Sequence, residues 1–221
     1  MDSPRAGGTT LVVYDLTRSM PDLTGAVEGP VDEAVLRRLV QDVGGNIGKV
    51  YGLRGKDRLL QQIGAYNHAA RWSPWVILTD FDRETQCIPL YLRQVLPDPS
   101  PSLCFRLAIR SIESWLLADG GRFAAFFGVS EARIPRVPDE LPNPKETLVN
   151  LARRSRRREV RENLVPRPES GRTVGPGYTA WMIEYIQDPT NGWRPDVASE
   201  FSDSLARCRA CIRRLTSNPI T

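Results

Sequence analysis

Histidine is nearly absent from this chain: His68 is the only one among 221 residues. A multi-histidine zinc site is therefore excluded, and a Ser-His-Asp triad would have to use that one ring. His68 stands in GAYNHAAR, near the end of an expected helix, where a solvated or capping imidazole is the simpler role. Lysine is almost as scarce. Of 30 basic residues only Lys49, Lys56 and Lys145 are lysine, a skew that genome base composition produces more readily than chemistry does. Cysteine is limited to Cys87, Cys104, Cys208 and Cys211, too few for a disulfide scaffold in a chain of this length. Cys208 and Cys211 are spaced one helical turn apart, and a zinc pair there would need two more ligands nearby, so buried free thiols are expected. No apolar run approaches the roughly 20 residues that span a bilayer. The opening MDSPRAGGTT lacks the basic-then-apolar layout of a secretory signal. A reducing cytoplasm with no membrane attachment is the expected setting.

With a single histidine, carboxylates and metal are the expected carriers of any catalysis. The net charge of +4 leaves room for an anionic partner without requiring one. Periodicity organises the chain. TTLVVYDL, residues 9–16, reads as an extra edge strand or an extension, and residues 1–20 stand apart from the remainder of the chain. From Asp22 a regular alternation begins. A strand in LTGAVEG is followed by a helix from Pro30, with acids in its first turn and Gly44-Gly45 as its stop. A short strand over 49–53, a helix over 55–70, a strand over 75–79 and a helix over 84–96 come next. The proline-rich loop at 97–101 leads to a strand over 104–109 and a helical stretch broken at Gly120-Gly121. Such alternation predicts a parallel sheet with helices on both faces over residues 21–127. Residues 128–221 read as a mostly helical region packed on that core, with helices from Pro144, in YTAWMIEYIQ and in DVASEFSDSLARCRACIRRL.

The stretch WVILTDFDRE, residues 75–84, carries the most chemical information. An apolar run of buried-strand type ends abruptly in Asp80-Phe81-Asp82. Open α/β sheets bind ligands beyond the carboxyl ends of their strands, and carboxylates there suit a hard divalent cation. Glu28-Gly29 ends the first strand of the alternation, just before a helix that starts with Asp32 and Glu33. If the two strands are neighbours, these carboxylates converge at one crevice. A first-turn acid is also favoured by the helix dipole alone, so Asp32 and Glu33 have a structural reading as well.

The strand-end Glu28-Gly29 and the later Asp80-x-Asp82 resemble the Toprim domain of topoisomerases, bacterial primases, recombination mediators, small ribonucleases and OLD-type nucleases. The resemblance covers residues 23–82 by motif and extends to about 127 by strand-helix alternation. It leaves residues 1–20 without a counterpart, and the Glu28 strand is only weakly hydrophobic. It implies a Toprim-like, Rossmann-like fold. It also implies acids that hold Mg²⁺ or Mn²⁺, with the glutamate as general acid/base or a further ligand. VEGPVDEAVL, GKDRLL, LTDFD and IRSIESWLLAD further resemble an uncharacterised Toprim-like family encoded beside OLD-like ABC-type ATPases. Glu113 and Asp119 belong to that family's signature. The implied metal set is Glu28, Asp32, Asp80, Asp82 and Glu113, with Glu28, Asp80, Asp82 and Glu113 catalytic. Asp119 reads better as a helix end, and Glu113, on a helix flank, needs either metal or Arg110 as partner.

Two basic features complete the reading. GLRGKD lacks the spacing and the following Ser or Thr of a P-loop, so Lys56 is at most a phosphate contact at a helix start, and Lys145 in NPKETL is similar. Arg153, Arg154, Arg156, Arg157 and Arg158, with Arg161 beyond, form the densest charge in the chain. They suit nucleic-acid phosphates, or form the solvated face of a helix. The expected function is a metal-dependent nuclease on DNA or RNA, and the resemblance makes an effector of an ATPase-linked defence system one setting for it. Two alternatives remain open: a catalytically inactive Toprim-like module for nucleic-acid binding or regulation, and a small-molecule phosphotransfer enzyme.

Overall fold

The computed structural model describes residues 22–82 and 87–217, so the extra strand expected within 1–20 lies outside the described residues. Four strands form one all-parallel sheet: β1 (Leu23–Val27), β2 (Ile47–Gly52), β3 (Trp75–Phe81) and β4 (Leu103–Ile109). Their order is β2-β1-β3-β4. From β1 the chain crosses to one side, and from β3 to the other. A crevice therefore opens between the carboxyl ends of β1 and β3, where a parallel sheet takes its ligands.

Both sheet faces are covered, and the strands' two-residue period sorts their side chains between two cores. Leu23 and Val27, Val76 and Leu78, and Cys104 and Ala108 point to the larger core. That core is completed by α1 (Pro30–Asp42), α5 (Ile112–Ala118), α6 (Gly120–Phe127), α7 (Pro144–Ala152), α8 (Arg158–Leu164), α9 (Tyr178–Gln187), α10 (Pro195–Ala198) and α11 (Asp203–Ser217). Ala26, Ile77, Phe81 and Phe105 face the smaller core, under α2 (Lys56–Gln61), α3 (Ile63–Ala69) and α4 (Ile88–Val95). The helical C-terminal region thus shares the main core with the sheet.

Several boundaries differ from those the sequence suggests. The helix expected over 55–70 is two helices, because Gln62, at φ −95° and ψ −2°, interrupts it. Strand β3 runs two residues past the expected end at 79, since Asp80 and Phe81 still pair with Ala108 and Ile109. Of the helix expected from Glu84, the described part begins at Ile88. The arginine run is not one helix face: residues 153–157 link α7 to α8.

Gly52 is required where β2 ends. Its φ is +91°, and a Cβ there would stand 2.2 Å from the Val27 carbonyl oxygen. That close approach lets Leu53 donate to the same carbonyl at 3.0 Å and fixes the chain beside Glu28. On the opposite side, Trp193 Nε1 donates to the Trp115 carbonyl at 3.0 Å, and Trp115 Nε1 donates to Ser204 Oγ at 2.7 Å. Asp139 accepts from the hydroxyls of Ser114, Ser202 and Ser204, so this buried polar cluster has its partners. Arg209 clamps Asp42 at 2.6 and 2.8 Å, tying α11 to α1. Among the described residues no helix is long and apolar enough to cross a membrane.

Candidate functional site

Glu28 is the first residue beyond β1, and its carboxylate reaches across the crevice to β3. Its Oε1 accepts from the Thr79 hydroxyl and, at 2.8 Å, from the Asp80 backbone N–H. One carboxylate thereby ties the two strand ends together and sets the position of Asp80. Asp80 continues the row of Val76 and Leu78 toward the larger core, and its Oδ1 accepts the first N–H of α5, from Ile112, at 3.0 Å. Ser111, the residue before α5, supplies no side-chain cap, so Asp80 does this work from another element.

Two helix starts bring the other acids in. Asp32 lies in the first turn of α1 and Glu113 in the first turn of α5. Asp32, Asp80 and Glu113 line one pocket of about 260 Å³ with Gly29, Lys145 and Tyr178. Burial first, then Glu28 and Glu113, raise the Asp32 pKa to about 7. Burial likewise lifts Asp80 well above the usual carboxylate range, with Asp32, Glu113 and Glu28 adding to it and Lys145 opposing. These carboxyl groups are desolvated and repel one another, the arrangement that a bound cation would relieve.

Glu113 is buried, and its partner is not Arg110. Tyr178 Oη donates to Glu113 Oε1 at 2.8 Å, and Lys145 Nζ lies 3.3 Å from the same oxygen. Burial would lower the Lys145 pKa, but Glu113 and Asp80 outweigh it and the net shift is upward. Glu113 Oε2 is buried with no hydrogen-bond partner among the described residues. Arg110 instead occupies the turn between β4 and α5 at φ +65°, a left-handed conformation uncommon for arginine, and donates its N–H to Phe81 O at 3.0 Å.

Asp82 does not join this pocket. It follows the end of β3, its side chain is 68% exposed, and it pairs with Lys56 Nζ at 2.7 Å. The Asp80-x-Asp82 pair is therefore split: strand pairing directs the first acid into the crevice, and the second lies beyond that pairing. Lys56, expected as a phosphate contact, is engaged by Asp82. Asp119 closes α5 and caps α6, and Arg194 holds it through Nε at 2.9 Å and Nη2 at 2.7 Å. A larger groove of about 810 Å³ runs beside this pair, but its buried carboxylate, Asp119, is already paired with Arg194. Glu33 is taken by Arg37 one turn along α1.

In comparisons with protein-family models, with curated proteins and with solved structures, nothing matches this chain. The chemistry of the pocket itself is then the guide to what it does. Among the described residues no three His, Cys, Asp or Glu side chains stand close enough together to hold a metal as they are. Magnesium does not require this, since it keeps several waters and takes one or two carboxylates. The pocket's donors fit such an ion: they are hard oxygens, two carry raised pKa values, and Glu113 Oε2 is unpartnered and buried.

The arginine run is divided by its packing. Arg157 donates to Phe126 O at 2.7 Å and lies over the Trp181 ring. Arg158 pairs with Glu162, and Arg161 donates to Ser155 O at 2.5 Å. Arg153, Arg154 and Arg156 are exposed. Tyr178 carries no signal in the sequence, and Lys145 only a weak one. Both come from the helical region, and no local spacing links them to Glu113.

Proposed function

We propose that this chain is a Toprim-like, metal-dependent phosphodiesterase that acts on nucleic acid. The observation that supports it is the convergence of Asp32, Asp80 and Glu113 in one pocket at the β1–β3 crevice. One or two of these carboxylates, with waters completing the shell, would hold Mg²⁺ or Mn²⁺, which when bound would polarise a phosphate oxygen. Glu28 acts as a positioning residue, holding Asp80 from the neighbouring strand. Tyr178 fixes the orientation of the Glu113 carboxylate. Lys145 presents a cation on the pocket wall, suited to a non-bridging phosphate oxygen. From Lys145, α7 leads over about 12 Å, at about 1.5 Å per residue, toward the exposed Arg153, Arg154 and Arg156. A polyanion could follow that path. An OLD-like ATPase partner belongs to the same proposal and rests on the resemblance alone.

The deciding assay incubates the pure protein with plasmid, single-stranded DNA and tRNA in Mg²⁺, in Mn²⁺ or in EDTA. Cleavage is expected with either metal and none in EDTA. The Lys145–Glu113 ion pair favours a second reading, a Toprim-like binding or regulatory module whose own ammonium neutralises the pocket. Binding without cleavage under every metal condition would establish that reading instead.

The exposed arginines carry their own expectation. Changing Arg153, Arg154 and Arg156 to glutamine should weaken binding to all sequences alike. The slope of log affinity against log salt should fall by close to one unit for each arginine–phosphate pairing removed. Titrations at several salt concentrations measure both quantities, and an unchanged slope would leave these residues as solvated surface.

A further inference from the structure

Three aromatic rings meet at the β2 edge of the sheet, where among the described residues no further strand pairs. Tyr51, near the end of β2, stacks on Trp75 with ring centroids 5.5 Å apart and planes at 22°. Tyr66, on α3, stacks on the same Trp75 at 5.2 Å. The β1 residue beside Tyr51 is Ala26, small enough for the rings to meet across that strand. Trp75 is buried, but Tyr51 stays 37% exposed and Leu53, two residues on, 43%. Lys49 Nζ lies 4.6 Å from the centre of the Tyr51 ring. Among the described residues Lys49, Arg54 and Arg58 are exposed and have no carboxylate partner, and Asp57 is the one acid from Ile47 to Gln61. This stretch ends at the crevice. Leu53 takes φ +61°, a conformation uncommon for leucine, and the Gly55 N–H donates to the Glu28 carbonyl oxygen at 3.0 Å. Residues 53–55 therefore lie beside the strand end that carries Glu28.

We propose that this edge binds single-stranded nucleic acid, with a base stacked on Tyr51 and the adjoining phosphates paired with Lys49 and Arg54. The inference rests on the nucleic-acid reading above and adds the form in which the substrate reaches the crevice. A partly exposed ring offers a π-face that any base can use, and cations beside it serve the phosphates. Trp75 and Tyr66 already hold the Tyr51 ring, so little side-chain freedom is lost when a base lands on it. The exposed contact of Lys49 with the ring is weak beside base stacking, and the long side chain can move its ammonium to a phosphate. A duplex keeps its base faces stacked inside and has none to give Tyr51, whereas an unpaired strand has them free. The rings belong to the smaller-core side of the sheet, and α7, which leads to the exposed arginines, packs on the larger-core side. Two cationic approaches thus flank the acids, and only this one carries an exposed aromatic stack.

Fluorescence anisotropy of the full chain in EDTA tests this without any need for cleavage. The probes are labelled oligo-dT, oligo-U, an abasic deoxyribose-phosphate chain of equal length and a DNA duplex; comparing dT with U separates DNA from RNA. Oligo-dT or oligo-U should bind at least about 5-fold more tightly than the abasic chain. Tyr51→Ala should erase that preference and leave duplex affinity and the salt slope alone, while Tyr51→Phe keeps it. Lys49→Gln should lower the salt slope by about 0.7. In the unmodified chain, a 5-bromouridine oligomer cross-linked by light should attach to the tryptic peptide Val50–Arg54, which decides even if a variant fails to fold. Equal affinity for dT, U and the abasic chain, or a cross-link only at the 153–157 arginines, would overturn the edge and leave the nuclease reading standing. Binding to no nucleic acid at all would remove both. A dimer in sedimentation that Tyr51→Ala breaks would give the edge to a second copy of the chain and overturn the proposal as well.

Discussion

Asp80→Asn should fold like the parent chain and cleave nucleic acid at least about 1,000-fold more slowly. The amide keeps an oxygen that can accept the Ile112 N–H, so the start of α5 retains its cap. What the variant loses is one of the mutually repelling charges that lift Asp80 well above the usual range. In EDTA it should therefore be as stable as the parent or more so. In the parent, added Mg²⁺ should raise Tm, because the ion binds the folded state; in the variant that rise should vanish. Alanine is a poorer probe, since it would also strip the cap and confuse catalysis with folding. Circular dichroism, Tm with and without Mg²⁺, and single-turnover cleavage together settle the matter. Parent-like cleavage by Asp80→Asn would remove this carboxylate from the chemistry.

Stability of the metal-free protein should carry a pH signature of Asp32. Its pKa rises from 3.8 to about 7 on folding. Below pH 3.8 both states hold the proton, so Asp32 adds no pH dependence. Between 3.8 and 7 the unfolded chain releases the proton and the folded chain retains it, so stability falls as pH rises. Above 7 the loss is complete, and three pKa units correspond to about 4 kcal/mol at most. Asp80 shifts in the same direction and adds to the slope. Other carboxylates, such as Asp42 beside Arg209, are ion-paired and shape the background, so the comparison is with Asp32→Asn. Urea denaturation in EDTA at pH 5 and pH 8 should show the parent losing more stability than the variant across that interval. Equal losses would mean that Asp32 is not desolvated as the fold implies. Magnesium needs the ionised form, so its stabilising effect on the parent should grow over the same range.

The parts of the fold legible in the sequence are those set by local rules. Strand β3, buried on both faces, must be apolar at consecutive positions, and residues 75–78 are. Helix α1 announces itself by Pro30, its first-turn acids and the glycines after it. The parallel direction follows from alternation and puts Glu28 and Asp80 on one sheet edge, whereas the adjacency of their strands comes from the order β2-β1-β3-β4. Legibility stops where long-range packing decides. Asp80 and Asp82 look equivalent in sequence, and only the pairing of Asp80 with Ala108 separates them. Glu113 and Tyr178 meet across 65 positions because α9, packed on α1, brings its first residue to the start of α5, a meeting with no sequence spacing of its own. The arginine run is visible as charge. Its division between Trp181, Phe126 and solvent depends on where α7 ends.

The core shared by the sheet and the C-terminal helices changes what kind of object the pocket is. The strand ends supply Asp80 and fix its backbone, but the wall that holds Glu113 in place is built from α7 and α9. A catalytic crevice in an α/β layer is often pictured as open ground on which loops are varied. Here one side is roofed by a helical subassembly that cannot be removed without baring the buried face of α1 and β4. Ordering of the acids is therefore coupled to folding of residues nearly a hundred positions later. A growing chain that has completed its sheet still lacks Lys145 and Tyr178, and the acid pocket becomes whole only when α7 and α9 dock.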